Sequence, residues 1–122
     1  MILHRSNRLT LIAAESVLFT VLGPNSDGIT LFLENASTLN YISYRFQESA
    51  SNTDANFTDL EDAEGNFGTS GILSPEGKAM VSIRSTSPYI RLKASAPGGA
   101  DLDYSLSQFG SNSSAYYTNG AQ

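Results

Sequence analysis

Residues 29–47 read ITLFLENASTLNYISYRFQ, two alternating runs on either side of a polar break. In the first run Ile29, Leu31 and Leu33 point one way and Thr30, Phe32 and Glu34 the other. In the second, Ile42, Tyr44 and Phe46 alternate with Ser43, Arg45 and Gln47. A period of two is the signature of a strand buried on one face. An amphipathic helix needs apolar residues three and four apart, and that spacing is sustained nowhere in the chain.

The same period extends outward from this stretch. Ala79, Val81 and Ile83 alternate with Met80, Ser82 and Arg84; Ile90, Leu92 and Ala94 with Arg91, Lys93 and Ser95; Leu102, Tyr104 and Leu106 with Asp103, Ser105 and Ser107. Further strands are predicted at Arg8–Ala13, Ser16–Leu22, Phe57–Leu60 and Asn66–Leu73. Turn chemistry separates the runs: the loop at 23–28 with its Gly-Pro start, Ser74-Pro75-Glu76-Gly77 with Pro at the second turn position, Ser87-Pro88, and Pro97-Gly98-Gly99. Short strands at this spacing predict an all-β fold, a single antiparallel β-sandwich, with jelly-roll and immunoglobulin-like Greek-key topologies both open. Its expected core is Ile29, Leu31, Ile42, Tyr44, Phe46, Val81, Ile83, Ile90, Leu92, Leu102 and Leu106. The expected organisation is a sandwich over 1–109 with an N-terminal arm at 1–8, then a polar tail at 110–122.

The chain is 122 residues long, the size of one domain. It carries a net charge of −5 with only seven Lys and Arg, spread from Arg5 to Lys93. A nucleic-acid partner is not expected, because phosphate recognition needs clustered cations. There are no cysteines, which excludes disulfides, thiolate metal sites and cysteine nucleophiles together. No apolar stretch has the length of a membrane span, and Leu9–Ala14 is too short for the apolar part of an export signal. Asn35, Asn56 and Asn112 match the glycosylation pattern and, without an export signal, read as chance matches.

Catalytic chemistry finds no candidate set. His4 is the only histidine and has no evident partner to orient it, so it reads as an end residue. The segment 47–66 is polar and acidic. Asp54, Asn56 and Thr58 take the first ligand spacings of a calcium loop, but Asp59 stands where its glycine belongs and Gly65 where its bidentate Glu belongs. A looser oxygen shell from Asp59, Glu61, Asp62 and Glu64 is the remaining metal arrangement; a solvated loop is the expectation. Asp101 and Asp103 share an outward strand face, as residues that guard a sheet against edge pairing do. No catalytic residue, cofactor or metal is therefore expected. Phe32, Tyr41 and Tyr89 face away from the apolar stripes and would serve as binding platforms if they formed one row.

The stretch Gly28–Glu61, GITLFLENASTLNYISYRFQESASNTDANFTDLE, resembles small structural proteins of tailed bacteriophages. The stretch Ser87–Phe109, SPYIRLKASAPGGADLDYSLSQF, is similar to the closing hairpin of such β-sandwiches. The resemblance implies a virion structural protein of the capsid decoration or cement kind. Such a protein is made in the host cytoplasm and seated on the capsid surface, where it contacts the major capsid protein or other virion subunits. It implies a homo-oligomer, with a trimer favoured. From the residues themselves, Tyr116 and Tyr117 are the two large amphipathic anchors of the tail, and Arg5 and Arg8 are the cations of the expected arm; these four are the expected partner contacts. The alternative function is a carbohydrate- or receptor-binding sandwich of a phage fibre or cell-surface adhesin. For the tail, the competing arrangement is an extra edge strand on its own sandwich.

Overall fold

A computed structural model describes residues 2–22, 28–61, 68–84, 87–109 and 116–119. The described chain is almost wholly extended: β1 (Ile2–Leu11), β2 (Ser16–Leu22), β3 (Ile29–Asn35), β4 (Ile42–Ser49), β5 (Thr58–Asp59), β6 (Ser70–Leu73), β7 (Lys78–Ile83), β8 (Tyr89–Ser95), β9 (Ala100–Phe109) and β10 (Tyr116–Asn119). One 3-10 turn, Asp54–Asn56, is its only helical piece. No described helix is long and apolar enough to cross a membrane.

The strands form two antiparallel sheets. The first has the order β1-β9-β3-β7, the second β10-β2-β8-β4, with β5 and β6 both on the far edge of β4. The pairings nest: β1 with β9, β2 with β8, β3 with β7, β4 with β6. That is the pattern of one long hairpin rolled up, and the added ladders β3–β9 and β4–β8 close the roll. The sandwich is therefore a jelly roll, and the Greek-key alternative is set aside.

Strict alternation on the inner faces builds the core. Ile29, Leu31, Leu33, Val81, Ile83, Leu102, Tyr104 and Leu106 come from the first sheet. Phe19, Val21, Ile42, Tyr44, Phe46, Ile90, Leu92 and Ala94 come from the second. All eleven residues expected in the core are buried. Each fully buried Leu or Ile contributes roughly 1.5–3 kcal/mol. Phe19 and Tyr104 bridge the sheets, ring centroids 5.2 Å apart.

Three expectations need correction. Residues 2–8 are not an arm but the first part of β1, which pairs along its whole length with β9. Ser6, Arg8 and Thr10 face outward there and Leu11 is buried, so Arg8 sits on the wet side of a strand. Residues 116–119 of the tail pair with β2, so the edge-strand arrangement holds for them; 110–115 and 120–122 lie outside the described residues. The strand expected at Phe57–Leu60 is only Thr58–Asp59, because on either side of it Phe57 is buried against Arg91 and Leu60 in the core.

Candidate functional site

Four connections meet at one end of the roll: residues 12–15, 36–41, 74–77 and 96–99. Backbone bonds tie them together, Ala96 to Ile12 at 2.8 Å, Glu76 to Ser37 at 2.9 Å and Asn35 to Gly77 at 2.9 Å. Asn35 organises this end from within. Its side chain is fully buried, its Oδ1 accepts from the Ser37 N–H at 2.9 Å, and its Nδ2 donates to the carbonyls of Asn40, Leu73 and Ser74 at 2.8, 3.2 and 3.1 Å. The Ser37 hydroxyl accepts from the Leu39 and Asn40 amides. Such side-chain bonds hold a turn that has no ladder of its own.

Asn40 then reaches across to the next connection. Its Nδ2 donates to the Gly98 and Gly99 carbonyls at 2.9 and 2.7 Å. A Cβ on Gly98 would stand 2.5 Å from the Asn40 Oδ1, so the close approach requires glycine. A shallow groove of about 440 Å³ runs between these connections, walled by Ile12, Ala36, Ser37, Gly98 and Asp101 among others. On this fixed end stand three of the five large apolar side chains exposed among the described residues: Leu39 at 84%, Ile12 at 61% and Tyr41 at 47%.

The outer faces of both sheets hold their charges in pairs. On the first, Arg8 grips Asp103 with two bonds of 2.6 and 2.8 Å, Thr10 donates to Asp101 at 2.7 Å, and Lys78 lies 3.9 Å from Glu34. On the second, Arg45 donates to Glu15 at 2.8 and 2.7 Å and to Asp59 at 2.9 Å, and Lys93 lies 3.3 Å from Glu15. The hydrogen bonds from Arg8 and Arg45 hold the Asp103 and Glu15 carboxyls below the usual range. Arg8, Arg45, Lys78, Arg91 and Lys93 all have carboxylate partners.

Arg91 is the unusual cation, because it is buried on an outer face. Its Nε donates to Gln47 at 2.8 Å and its Nη1 to Asp54 at 2.7 Å, above the Phe57 ring. Gln47 passes the chain on to Asp59 at 2.9 Å. Gln47 and Arg91 alternate outward along their strands, so both are expected wet; the segment 50–57 folds over them and excludes the water.

The residues expected to touch partners do not converge. Arg5 and Arg8 lie on β1, and Tyr116 and Tyr117 on β10, at the edges of different sheets. Arg8 is engaged by Asp103 within its own chain. His4 sits in β1 opposite Ser107. The aromatic platforms do not form a row either: Phe32 lies on the outer face of the first sheet, Tyr89 on that of the second, and Tyr41 at the loop end. Of the loose calcium set, Asp59 is held by Arg45 and Gln47, while Asp62 and Glu64 lie outside the described residues. Among the described residues no three His, Cys, Asp or Glu side chains group as metal ligands would. Asn35 cannot carry a glycan, since its amide is buried and bonded; Asn56 is exposed, and Asn112 lies outside the described residues.

Sequence reasoning passed over Asn35, Asn40 and Leu39. The signal for the first was present, an Asn two residues before a Ser in a break between strands, the composition of an Asx turn. Leu39 was detectable only as an apolar residue out of place in a polar turn.

No protein-family model and no curated protein matches this chain. Among solved structures it is similar to PirA, with a TM-score of 0.54 and 10% identity over 86% of this chain and 93% of that one. It is also similar to a protein of the Bacillus endospore appendages, a family of disulfide-linked pili. There the TM-score is 0.50 and the identity 8%, over 88% of this chain and 86% of that one. At such identities the likeness is one of fold.

Proposed function

We propose that this chain is a non-enzymatic structural subunit that works through contacts between proteins, with the four-loop end as its docking face. The observation that carries the reading is the exposure of Leu39 and Tyr41 on the connection that Asn35 and Asn40 hold fixed, beside Ile12, whose carbonyl accepts from the Ala96 amide. An apolar side chain presented on a rigid loop loses little conformational freedom on docking, and buried apolar and aromatic anchors supply most interface energy. The sheet faces favour the same reading, since their charges are already matched within the chain.

In its specific form the proposal is a capsid decoration protein on a virion surface. Copies contact one another through the loop end as a homo-oligomer, with three the favoured number, and seat on the major capsid protein or other virion subunits. The likeness to an appendage subunit is compatible with a role in assembly, although this chain has no cysteine and copies of it cannot be linked by disulfides.

Sedimentation velocity over a wide concentration range tests this. Supporting results are self-association of the wild type and its loss in the triple variant Ile12→Ser, Leu39→Ser, Tyr41→Ser at an unchanged melting temperature. A wild type that stays monomeric throughout, or self-association indifferent to these substitutions, overturns it.

A further inference from the structure

We infer that β10 is an exchangeable strand: the segment Tyr116–Asn119 that closes the β2 edge of its own copy closes the same edge of a second copy. The inference rests on the reading of the chain as an assembling subunit and adds a second contact between copies beside the loop end.

The jelly roll is complete without β10. Strands β1 to β4 all have their nested partners among β6 to β9, and the ladders β3–β9 and β4–β8 close the roll. β10 is an addition outside that scheme, and its one ladder is with β2, Tyr116 opposite Leu22 through Asn119 opposite Phe19. The edge it covers cannot be left bare. Val17, Leu18, Phe19, Thr20 and Val21 are all buried, and an apolar strand with an open row of N–H and C=O groups is a template for another chain. The occupant suits the place, since Tyr-Tyr-Thr-Asn is rich in strand-forming residues. Thr118 stands opposite Thr20, whose buried hydroxyl has no hydrogen-bond partner among the described residues.

Between β9 and β10 the sequence is Gly110-Ser111-Asn112-Ser113-Ser114-Ala115, six small or polar residues. Seven residue steps from Phe109 to Tyr116 reach up to about 23 Å when extended, against the roughly 10 Å that separates packed sheets. That length lets β10 reach its own β2 and also the β2 edge of a copy packed against it. Strand contacts are the same within a copy and between copies, so the choice is set by effective concentration, which crowding of copies on a surface raises. Where two copies exchange β10 reciprocally the contact closes a two-fold dimer; where each copy gives β10 to the next it builds larger rings or open rows.

The absence of native cysteine makes the test direct. Residues opposite each other in an antiparallel ladder lie within disulfide range. Thr20→Cys and Thr118→Cys are made as separate full-length variants, mixed and oxidised. The expected product is a mixed disulfide dimer whose yield rises with concentration and falls when unlabelled wild type is added in excess. The double variant T20C/T118C serves as the second measurement. If it cross-links only within single chains and the mixture gives no mixed dimer, exchange does not occur and the inference is overturned. If neither cross-links although both fold, the ladder itself is wrong and so is the inference. Leu22→Cys with Tyr116→Cys replaces the pair should T20C not fold. These positions lie on β2 and β10 and not on the four connections, so a failed exchange with self-association intact overturns strand exchange alone, whereas a wild type that stays monomeric overturns both readings.

Discussion

The Arg91 guanidinium lies 3.9 Å over the Phe57 ring and donates at 2.7 Å to Asp54, although the Arg91 side chain is 5% exposed and that of Asp54 is 79% exposed. A buried cation and a wet carboxylate thus pin the segment 50–57 to the outer face of the second sheet. Their removal is asymmetric. Arg91→Met leaves a solvated Asp54 and an unpaired Gln47 Oε1, and is expected to cost about 1–3 kcal/mol in urea unfolding. Asp54→Ala instead takes the partner from a buried charge and releases the strap. Hydrogen exchange of amides at 50–57 should rise with little change elsewhere; unaltered exchange there would show that Asp54 does not hold the segment.

The acid response follows from the paired carboxylates. Hydrogen bonds from Arg45, Arg91 and Arg8 lower the pKa values of Glu15, Asp54 and Asp103 respectively. A carboxyl depressed in the folded state binds fewer protons than in the unfolded chain. Its contribution is present above the unfolded value, near 4, and is lost as pH falls through the lower folded value. Melting temperature is expected to be level from neutral pH to about 5 and to decline below about 4. The exposure of these pairs keeps the decline shallow, and salt should flatten it further. A melting temperature that rises on acidification would contradict the assignment.

Asn35→Ala should be the most damaging polar substitution at the loop end. It removes the acceptor for Ser37 and the shared donor for three carbonyls. A loss of about 3 kcal/mol is expected, or roughly 10 °C in melting temperature. Asn35→Asp, nearly the same shape, should be at least as harmful, since it turns a carboxylate oxygen toward those carbonyls. Scanning calorimetry of the two variants distinguishes a packing role from this bonding role: a mild Asp variant would favour packing.

Glu76 holds φ +62° at the third position of the turn Ser74–Gly77, whose closing bond from Gly77 N–H to Ser74 O is 2.7 Å. A left-handed conformation there belongs to a type II turn and favours glycine. Glu76→Gly is expected to stabilise the protein, by up to about 1 kcal/mol after the added freedom of the unfolded chain is counted. A destabilised variant in chemical unfolding would show that the Glu76 side chain contributes more than the strain costs.

The inner faces were legible because alternation is a local signal: Ile29, Leu31 and Leu33 announce their strand without reference to any other. What hid was set by distant partners. β1 looked like a basic arm because Asp103, which meets Arg8, lies 95 residues away. Gln47 and Arg91 have the outward phase of wet residues, and only the fold of 50–57 over them makes them buried. The bonding of Asn35 depends on carbonyls from two other segments, one of them 38 residues on. The choice of jelly roll over Greek key was likewise beyond reach, since alternation tells which face is apolar and not which strand lies beside which.

The strand order also governs how the protein comes into being. β8 lies between β2 and β4, and β9 between β1 and β3, so the last strands of the roll to be synthesised are wedges driven between earlier ones. A nascent chain that has emerged only as far as residue 88 has neither sheet joined at its centre, and β1 waits for the synthesis of residues 12–99 before its partner arrives. Contacts so distant in sequence form slowly, and apolar strand edges stay bare meanwhile. Birth of this protein is therefore all-or-none: folding begins in earnest only after the ribosome has released Ala100–Phe109, and any stall before that point yields a sticky fragment rather than a smaller domain.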